Sequence, residues 1–397
     1  METPAPRAVA DGVFWVGVND RVKRLFEALW PLPDGVSYNA YVVDGGDVAL
    51  IDAAPEEFAY EYLGRVGEVV GDLSRVKYLV LNHLEPDHHG ATPYILQRLK
   101  HVKVVASTTA SRLIHSLYKV PADRIIAVKD GDTLDLGRRR LRFIHAPWLH
   151  WPETMFTYLE DSGVLFTCDA FGAYGALERG IFDDEVDLNR YISEARRYYV
   201  NIVAKYGRNV IDALEKIKPL DVRIIAPSHG PIYRRHVSEM LRLYRKWAAP
   251  EPDRRRAVVL FGSMYGRTRQ LAEHIAEELR KAGFTTSIYD ASDAHPSYIL
   301  ADLVEAYALV VVYPTYDGGV FPYIHNVLHL LQSKSLGRGR VAAVVNTYVW
   351  APTSRQAVEA LQKAGFKIVE PVVETKALPD EKALAEIGRL VKALSEI

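Results

Sequence analysis

The chain has 397 residues, a formal net charge of −1 and one cysteine, Cys168. That length accommodates two domains with ordinary cores, and the balanced charge argues against nucleic acid or an anionic membrane as the main partner. A lone cysteine excludes an intrachain disulfide or a cysteine-held iron–sulfur centre. With no apolar run near the roughly 20 residues of a spanning helix and no export pattern at Met1-Glu2-Thr3-Pro4, the expected location is the cytoplasm.

In residues 1–250, short apolar runs predict strands at residues 12–18, 41–43, 48–51, 77–81, 102–106, 141–144, 164–167 and 222–226. Turn residues and amphipathic stretches such as residues 56–70 separate them. The pattern predicts a mixed sheet with covering helices. Residues 244–256 are proline-bearing and charged, and predict the linker. From 251 to 397 strand and helix alternate regularly. Strands are expected at 257–261, 285–289, 308–313, 341–345 and 368–373, and helices at 268–282, 323–331, 354–364 and 381–394. This predicts a doubly wound five-stranded parallel sheet.

The densest chemistry follows the fourth of the strands expected in the first half. Immediately after the apolar run at 77–81 comes Asn82-His83-Leu84-Glu85-Pro86-Asp87-His88-His89-Gly90. Imidazoles and carboxylates on a loop at a strand end are placed for metal binding. Glu85 matters most, because a zinc hydrolase of similar spacing would carry histidine there. A carboxylate makes the site harder, favouring iron or manganese. Downstream, His150 lies on a loop, while Asp169 and His229 each end an apolar run. Any one of these is more often an ordinary polar turn or a helix cap. Their repeated placement at strand ends favours a two-metal site, which needs a bridging carboxylate and about three terminal ligands per ion. Asp169 is assigned the bridge, His83, Glu85 and His150 one ion, and Asp87, His88 and His229 the other. His89 and His145 are neighbouring decoys.

In the second half, the strand at 257–261 runs into Gly262-Ser263-Met264-Tyr265-Gly266-Arg267-Thr268 and then a helix. It is neither a Walker loop nor G-x-G-x-x-G. Hydroxyls, loop N–H groups and a helix N-terminus suit a single phosphate monoester, which at this turn of such a sheet points to FMN. Two later loops would hold the isoalloxazine ring. They are Pro314-Thr315-Tyr316-Asp317-Gly318-Gly319 and Asn346-Thr347-Tyr348-Val349-Trp350. The expected FMN contacts are Ser263, Met264, Tyr265, Gly266, Arg267, Thr268, Pro314, Thr315, Tyr316, Asp317, Gly318, Asn346, Thr347, Tyr348 and Trp350.

Asn82–Gly90, Leu149–Pro152, Asp169-Ala170-Phe171-Gly172 and Ser228-His229-Gly230 resemble the β-lactamase-like diiron domain of the flavodiiron proteins, also called A-type flavoproteins. Residues 24–43 are similar to that family's N-terminal stretch, and the second half resembles a flavodoxin, in the family's order. The resemblance implies an αββα domain followed by a flavodoxin-like domain, FMN, and two irons bridged by Asp169 at the seven positions above. It also implies reduction of O2 to water, of NO to N2O, or both, in a head-to-tail dimer or dimer of dimers. The electrons would come from a separate rubredoxin, a flavin reductase or reduced F420. Trp151, Phe171 and Tyr174 are expected beside the open metal face. One departure is the last flavin loop, often Gly-Ser-Tyr-Gly-Trp in the family and Asn346-Thr347-Tyr348-Val349-Trp350 here. The alternatives are a zinc-dependent hydrolase of the β-lactamase fold fused to a flavodoxin, and a metal-free flavodoxin-type electron carrier.

Overall fold

Val48–Ile51, Met155–Leu159 and Val164–Cys168 are buried at every position, so these strands lie in sheets covered on both faces. The computed structural model describes residues 3–397 except Arg179 and Leu378. The chain divides between Ala248 and Ala249 into two units.

The first unit holds two main sheets. One runs Arg7–Ala10, Val13–Trp15, Tyr41–Asp44, Val48–Ile51, Val76–Leu81, Lys103–Ser107, Ile125–Val128 in spatial order; the other runs Thr133–Asp135, Arg140–His145, Met155–Leu159, Val164–Cys168, Ile224–Pro227. The sheets meet through side chains. The Tyr41 ring packs on Phe166 at 5.1 Å, and its hydroxyl donates to the Pro227 carbonyl at 2.7 Å. The strand expected over residues 12–18 is split. Val13–Trp15 joins the large sheet, while Val18–Asp20 pairs with Val36–Tyr38 in a small hairpin. A second small hairpin, Leu25–Phe26 with Trp30–Pro31, carries Phe26 inward.

The expected linker is largely absorbed by regular structure. Helix Val237–Ala248 runs through its first part because Met240, Leu243, Tyr244 and Trp247 form one buried stripe at helical spacing. Strand Asp253–Phe261 takes its end, with Asp253–Arg255 exposed.

In the second unit the strand order is Thr285–Asp290, Asp253–Phe261, Ala306–Pro314, Val341–Tyr348, then Lys367–Ile368 and Val373–Lys376, all pairs parallel. This is the flavodoxin-like doubly wound order. The last strand is in two pieces on either side of Pro371, which has no N–H to give a ladder. Leu271, Ile275 and Leu279 of helix Arg267–Lys281 and Ile387, Leu390 and Leu394 of helix Glu381–Glu396 pack on Val259, Val310, Val312 and Val345. Each such side chain contributes roughly 1.5–3 kcal/mol by its burial. That core fixes the strand C-termini from which the loops emerge. Among the described residues no helix is long and apolar enough to cross a membrane.

Candidate metal centre and flavin cavity

Strand ends converge at the metal cluster. Asn82–His89 follows Val76–Leu81, Asp169 follows Val164–Cys168, and His229 follows Ile224–Pro227. Cys168 and Phe171 adopt left-handed backbone (φ 51° and 68°), rare for such side chains, on either side of Asp169. Gly230 (φ 72°) turns the chain away after His229, and a Cβ there would meet the Ala173 Cβ at 2.7 Å.

His83, Glu85, His150 and Asp169 each offer one ligand atom, all within 4.8 Å of one another, and Asp87, His88 and His229 form a second such group. The two oxygens of Asp169 serve different groups. Oδ2 lies 3.5 Å from His83 Nε2 and 3.7 Å from His150 Nε2. Oδ1 lies 3.1 Å from His88 Nε2 and 3.4 Å from His229 Nε2. Glu85 Oε2 is 3.0 Å from His150 Nε2, and Asp87 Oδ2 is 3.4 Å from His229 Nε2. The decoys point elsewhere. His89 Nε2 is 3.2 Å from Asp52 Oδ1, and His145 Nε2 is 3.1 Å from the Val128 carbonyl.

Three carboxylates this close repel unless cations lie among them. Burial would raise Asp169 and Glu85, yet the surrounding imidazoles outweigh it. Asp169 is held well below the usual carboxylate range, and Glu85 falls to about 2. Burial would likewise lower His229, but Asp169 and Asp87 raise it to about 10. Protons on imidazole thus stand where cations would sit. Both carboxylate oxygens of Asp87 and Nε2 of His229 are buried with no hydrogen-bond partner. Such atoms are costly unless something binds them. Four imidazoles and three carboxylates fit two borderline-to-hard divalent ions. Cys168 also borders Asp169, but burial and then that carboxylate push its thiol up, which disfavours a thiolate ligand.

Several residues that hold the ligands carry no sequence signal of their own. Glu153, fully buried, accepts from His83 Nδ1–H at 2.8 Å and from the Leu84 N–H at 3.0 Å. His229 Nδ1–H donates to the Ser37 carbonyl at 2.8 Å. Both bonds leave Nε2 facing the cluster. Asp52 accepts from the Asn82 N–H at 2.9 Å and from Ser228 Oγ at 3.4 Å, tying two ligand loops together. Tyr198 donates to Asp169 Oδ1 at 2.5 Å, and the Phe26 ring sits 5.3 Å from His229.

The expected open-face residues divide. The Trp151 ring stands edge-on to His83 at 4.9 Å. Tyr174 stands one ring back from the cluster, behind Tyr198 at 5.0 Å and Phe26 at 5.5 Å between rings. Phe171 turns into the aromatic core against Tyr244 at 4.2 Å, as its left-handed backbone directs it away from the Asp169 side chain.

In the second unit a cavity of ≈ 440 Å³ opens at the strand C-termini. That is within the size range of small-ligand sites. Met264, Tyr265, Arg267 and Thr268 line it from the first loop, and Pro314, Thr315, Asp317 and Gly318 from the second. Thr347, Tyr348, Val349, Trp350 and Ala351 line it from the third, with Ala377. Gly266 (φ 84°) caps helix Arg267–Lys281, so the helix's free N–H groups face the first loop. Four expected contacts are not among the lining residues: Ser263, whose Oγ accepts from the Gly266 N–H at 3.1 Å, Gly266 itself, Tyr316 and the fully buried Asn346.

Residues 36–230 match the ODP family beta lactamase and residues 259–388 the flavodoxin family. Type A flavoprotein fprA of Rhodobacter capsulatus is 34% identical over 96% of this chain and 89% of its own length. The chain belongs to the type A flavoproteins. A nitric oxide reductase of Moorella thermoacetica is 30% identical over 98% of both chains. The solved structure of rubredoxin oxygen:oxidoreductase from the anaerobe Desulfovibrio gigas superposes on this type A flavoprotein with a TM-score of 0.94, at 27% identity over 98% of each chain.

Proposed function

We propose that this chain is an oxidoreductase that reduces O2 to water, NO to N2O, or both, with electrons from an external donor. Residues 1–250 would hold two irons through His83, Glu85, His150, Asp87, His88 and His229, bridged by Asp169. Residues 251–397 would hold FMN by its phosphate at 263–268 and by its ring at the two later loops. Bound, FMN supplies electrons singly or in pairs, and the irons supply two adjacent redox-active cations. The observation that carries the reading is the division of Asp169's two oxygens between two ligand groups. The chain's own part is positional. Glu153 and the Ser37 carbonyl orient imidazoles, Tyr198 holds the bridging carboxylate, and the Phe26, Tyr38 and Trp151 rings pack against the ligand imidazoles His229 and His83.

Glu85 distinguishes this reading from zinc hydrolysis, because three carboxylates suit ions that change valence. Metal analysis after anaerobic purification separates the readings by finding about two irons, two zincs or neither. The iron-loaded, FMN-reduced protein should consume at least one of the two gases in an electrode assay. Consumption of neither would overturn the proposal.

The donor is a separate rubredoxin, flavin reductase or reduced F420, and a cytoplasmic location belongs to the same reading. Trp350 is 93% exposed and Tyr265 90% exposed at the flavin cavity, with Val349 and Met264 exposed beside them. In the first unit Leu25, Leu29 and Trp148 are exposed near the metal loops. Apolar groups of this kind mark association surfaces. A head-to-tail dimer, or dimer of dimers, would cover both and bring one chain's flavin to its partner's metals. Sedimentation should find a dimer or tetramer at assay concentration, and a fully active monomer would refute the arrangement.

A further inference from the structure

The flavin cavity depends on a side chain that does not line it. Asn346 lies in strand Val341–Tyr348 and is fully buried. Its Nδ2 donates to the carbonyl of Tyr313 at 3.1 Å and of Thr347 at 3.2 Å. Its Oδ1 accepts from the Thr353 N–H at 2.7 Å, and Thr315 Oγ1 lies 3.4 Å away. The Thr353 hydroxyl extends the network, 3.2 Å from Thr315 Oγ1 and 3.3 Å from the Gly319 carbonyl. One amide therefore touches the end of one strand, the start of the second flavin loop and both ends of the third. Glycine at this position could do none of this.

The placement is specific to the cavity walls. Thr315 and Thr347 both line the cavity and both contact Asn346, and the Thr315 N–H donates to the Thr347 carbonyl at 2.8 Å. The third loop is held at its two ends, by the Ala377 N–H to the Tyr348 carbonyl at 2.7 Å and by the Tyr313 hydroxyl to the Thr353 carbonyl at 3.0 Å, while Val349 and Trp350 between them are exposed. A loop fixed before its ligand arrives gives up less freedom on binding, and the complex gains affinity by that saving.

We propose that Asn346 is a positioning residue, a clamp that holds loops 314–319 and 346–353 at a set separation and preforms the wall of the cavity that receives the flavin ring. The inference rests on reading this cavity as the FMN site. It makes a prediction that a change at the phosphate loop does not. The clamp's own bonds go to the ring loops, and the phosphate loop at 263–268 meets them at one remove, where Thr268 Oγ1 lies 3.4 Å from Thr347 Oγ1. Loosening it should therefore weaken FMN and riboflavin by the same factor.

The test uses the full chain, stripped of flavin and titrated with FMN and with riboflavin, following fluorescence quenching and release rates. Asn346→Gly is expected to raise both dissociation constants by about tenfold, mostly through faster release. Thr353→Val, which removes only the outer hydroxyl, should move both in the same direction by less. It decides the matter alone if N346G does not fold. Unchanged constants and release rates in both variants would overturn the clamp, as would a loss confined to FMN. An unaltered chain that bound no FMN would overturn the cavity assignment itself, and the clamp with it.

Discussion

An Asp169→Asn chain should hold at most one iron and lose reductase activity by at least about 100-fold. Both oxygens of Asp169 are committed. Oδ2 faces His83 and His150, while Oδ1 faces His88, His229 and the Tyr198 hydroxyl. An amide keeps one oxygen and turns toward the other group an NH2 that cannot ligate a cation. The bridging negative charge, which offsets the imidazoles on both sides, is lost as well. Metal analysis and gas-consumption rates check the outcome, with circular dichroism to establish folding. Two irons and an unaltered rate would refute the bridge.

Removing Glu153 should cost about 10–100-fold in iron affinity or in activity, although it is assigned no metal. In Glu153→Ala the Leu84 N–H and His83 Nδ1–H lose their shared acceptor inside a dry site, at a cost of about 1–3 kcal/mol for an unpaired buried donor. His83 could then swap its proton to Nε2, the atom that should face the ion. In Glu153→Gln the amide oxygen can still accept both bonds, so orientation survives and only the charge is lost. Loss in the order Ala greater than Gln greater than none, read by titration against an iron chelator, would assign the larger share to orientation. Equal affinity in all three would remove Glu153 from the site.

The two residues differ in how they could have been found. Asp169 ends a hydrophobic run and precedes Ala-Phe-Gly, so local pattern marks it as a strand-end carboxylate. Glu153 is three residues from His150 in Leu149-His150-Trp151-Pro152-Glu153, where adjacency alone suggests a partner for His150. The fold instead delivers it to His83, 70 residues away in sequence. Tyr198 is still less legible, because on a helix of strong amphipathic pattern a tyrosine on the inner face reads as core. Phe171 fails in the opposite direction. Its place beside Asp169 suggests a role at the metal face, but a positive φ sends it to Tyr244.

The flavin half shows the same division. Alternation of strands and helices, the phosphate-loop hydroxyls and the two aromatic loops can be read by position, because parallel strands present their C-terminal loops together. Which loop residues face the cavity depends on local turns. Ser263 folds back on Gly266, and Asn346 points behind the wall. The division between the units falls inside the expected linker, but the end of helix Val237–Ala248 is not legible there, since the buried Tyr244 and Trp247 stand among charges.

Order along the chain therefore determined the strand ends, the donor types and the preference for a hard metal pair over zinc, because these depend on side-chain chemistry and on repeats of two and about 3.6 residues. Only the tertiary structure decided which carboxylate orients which imidazole, how Asp169 divides its oxygens and what stands behind the flavin loops. Most of those are contacts between residues tens of positions or more apart, and local pattern holds no record of them.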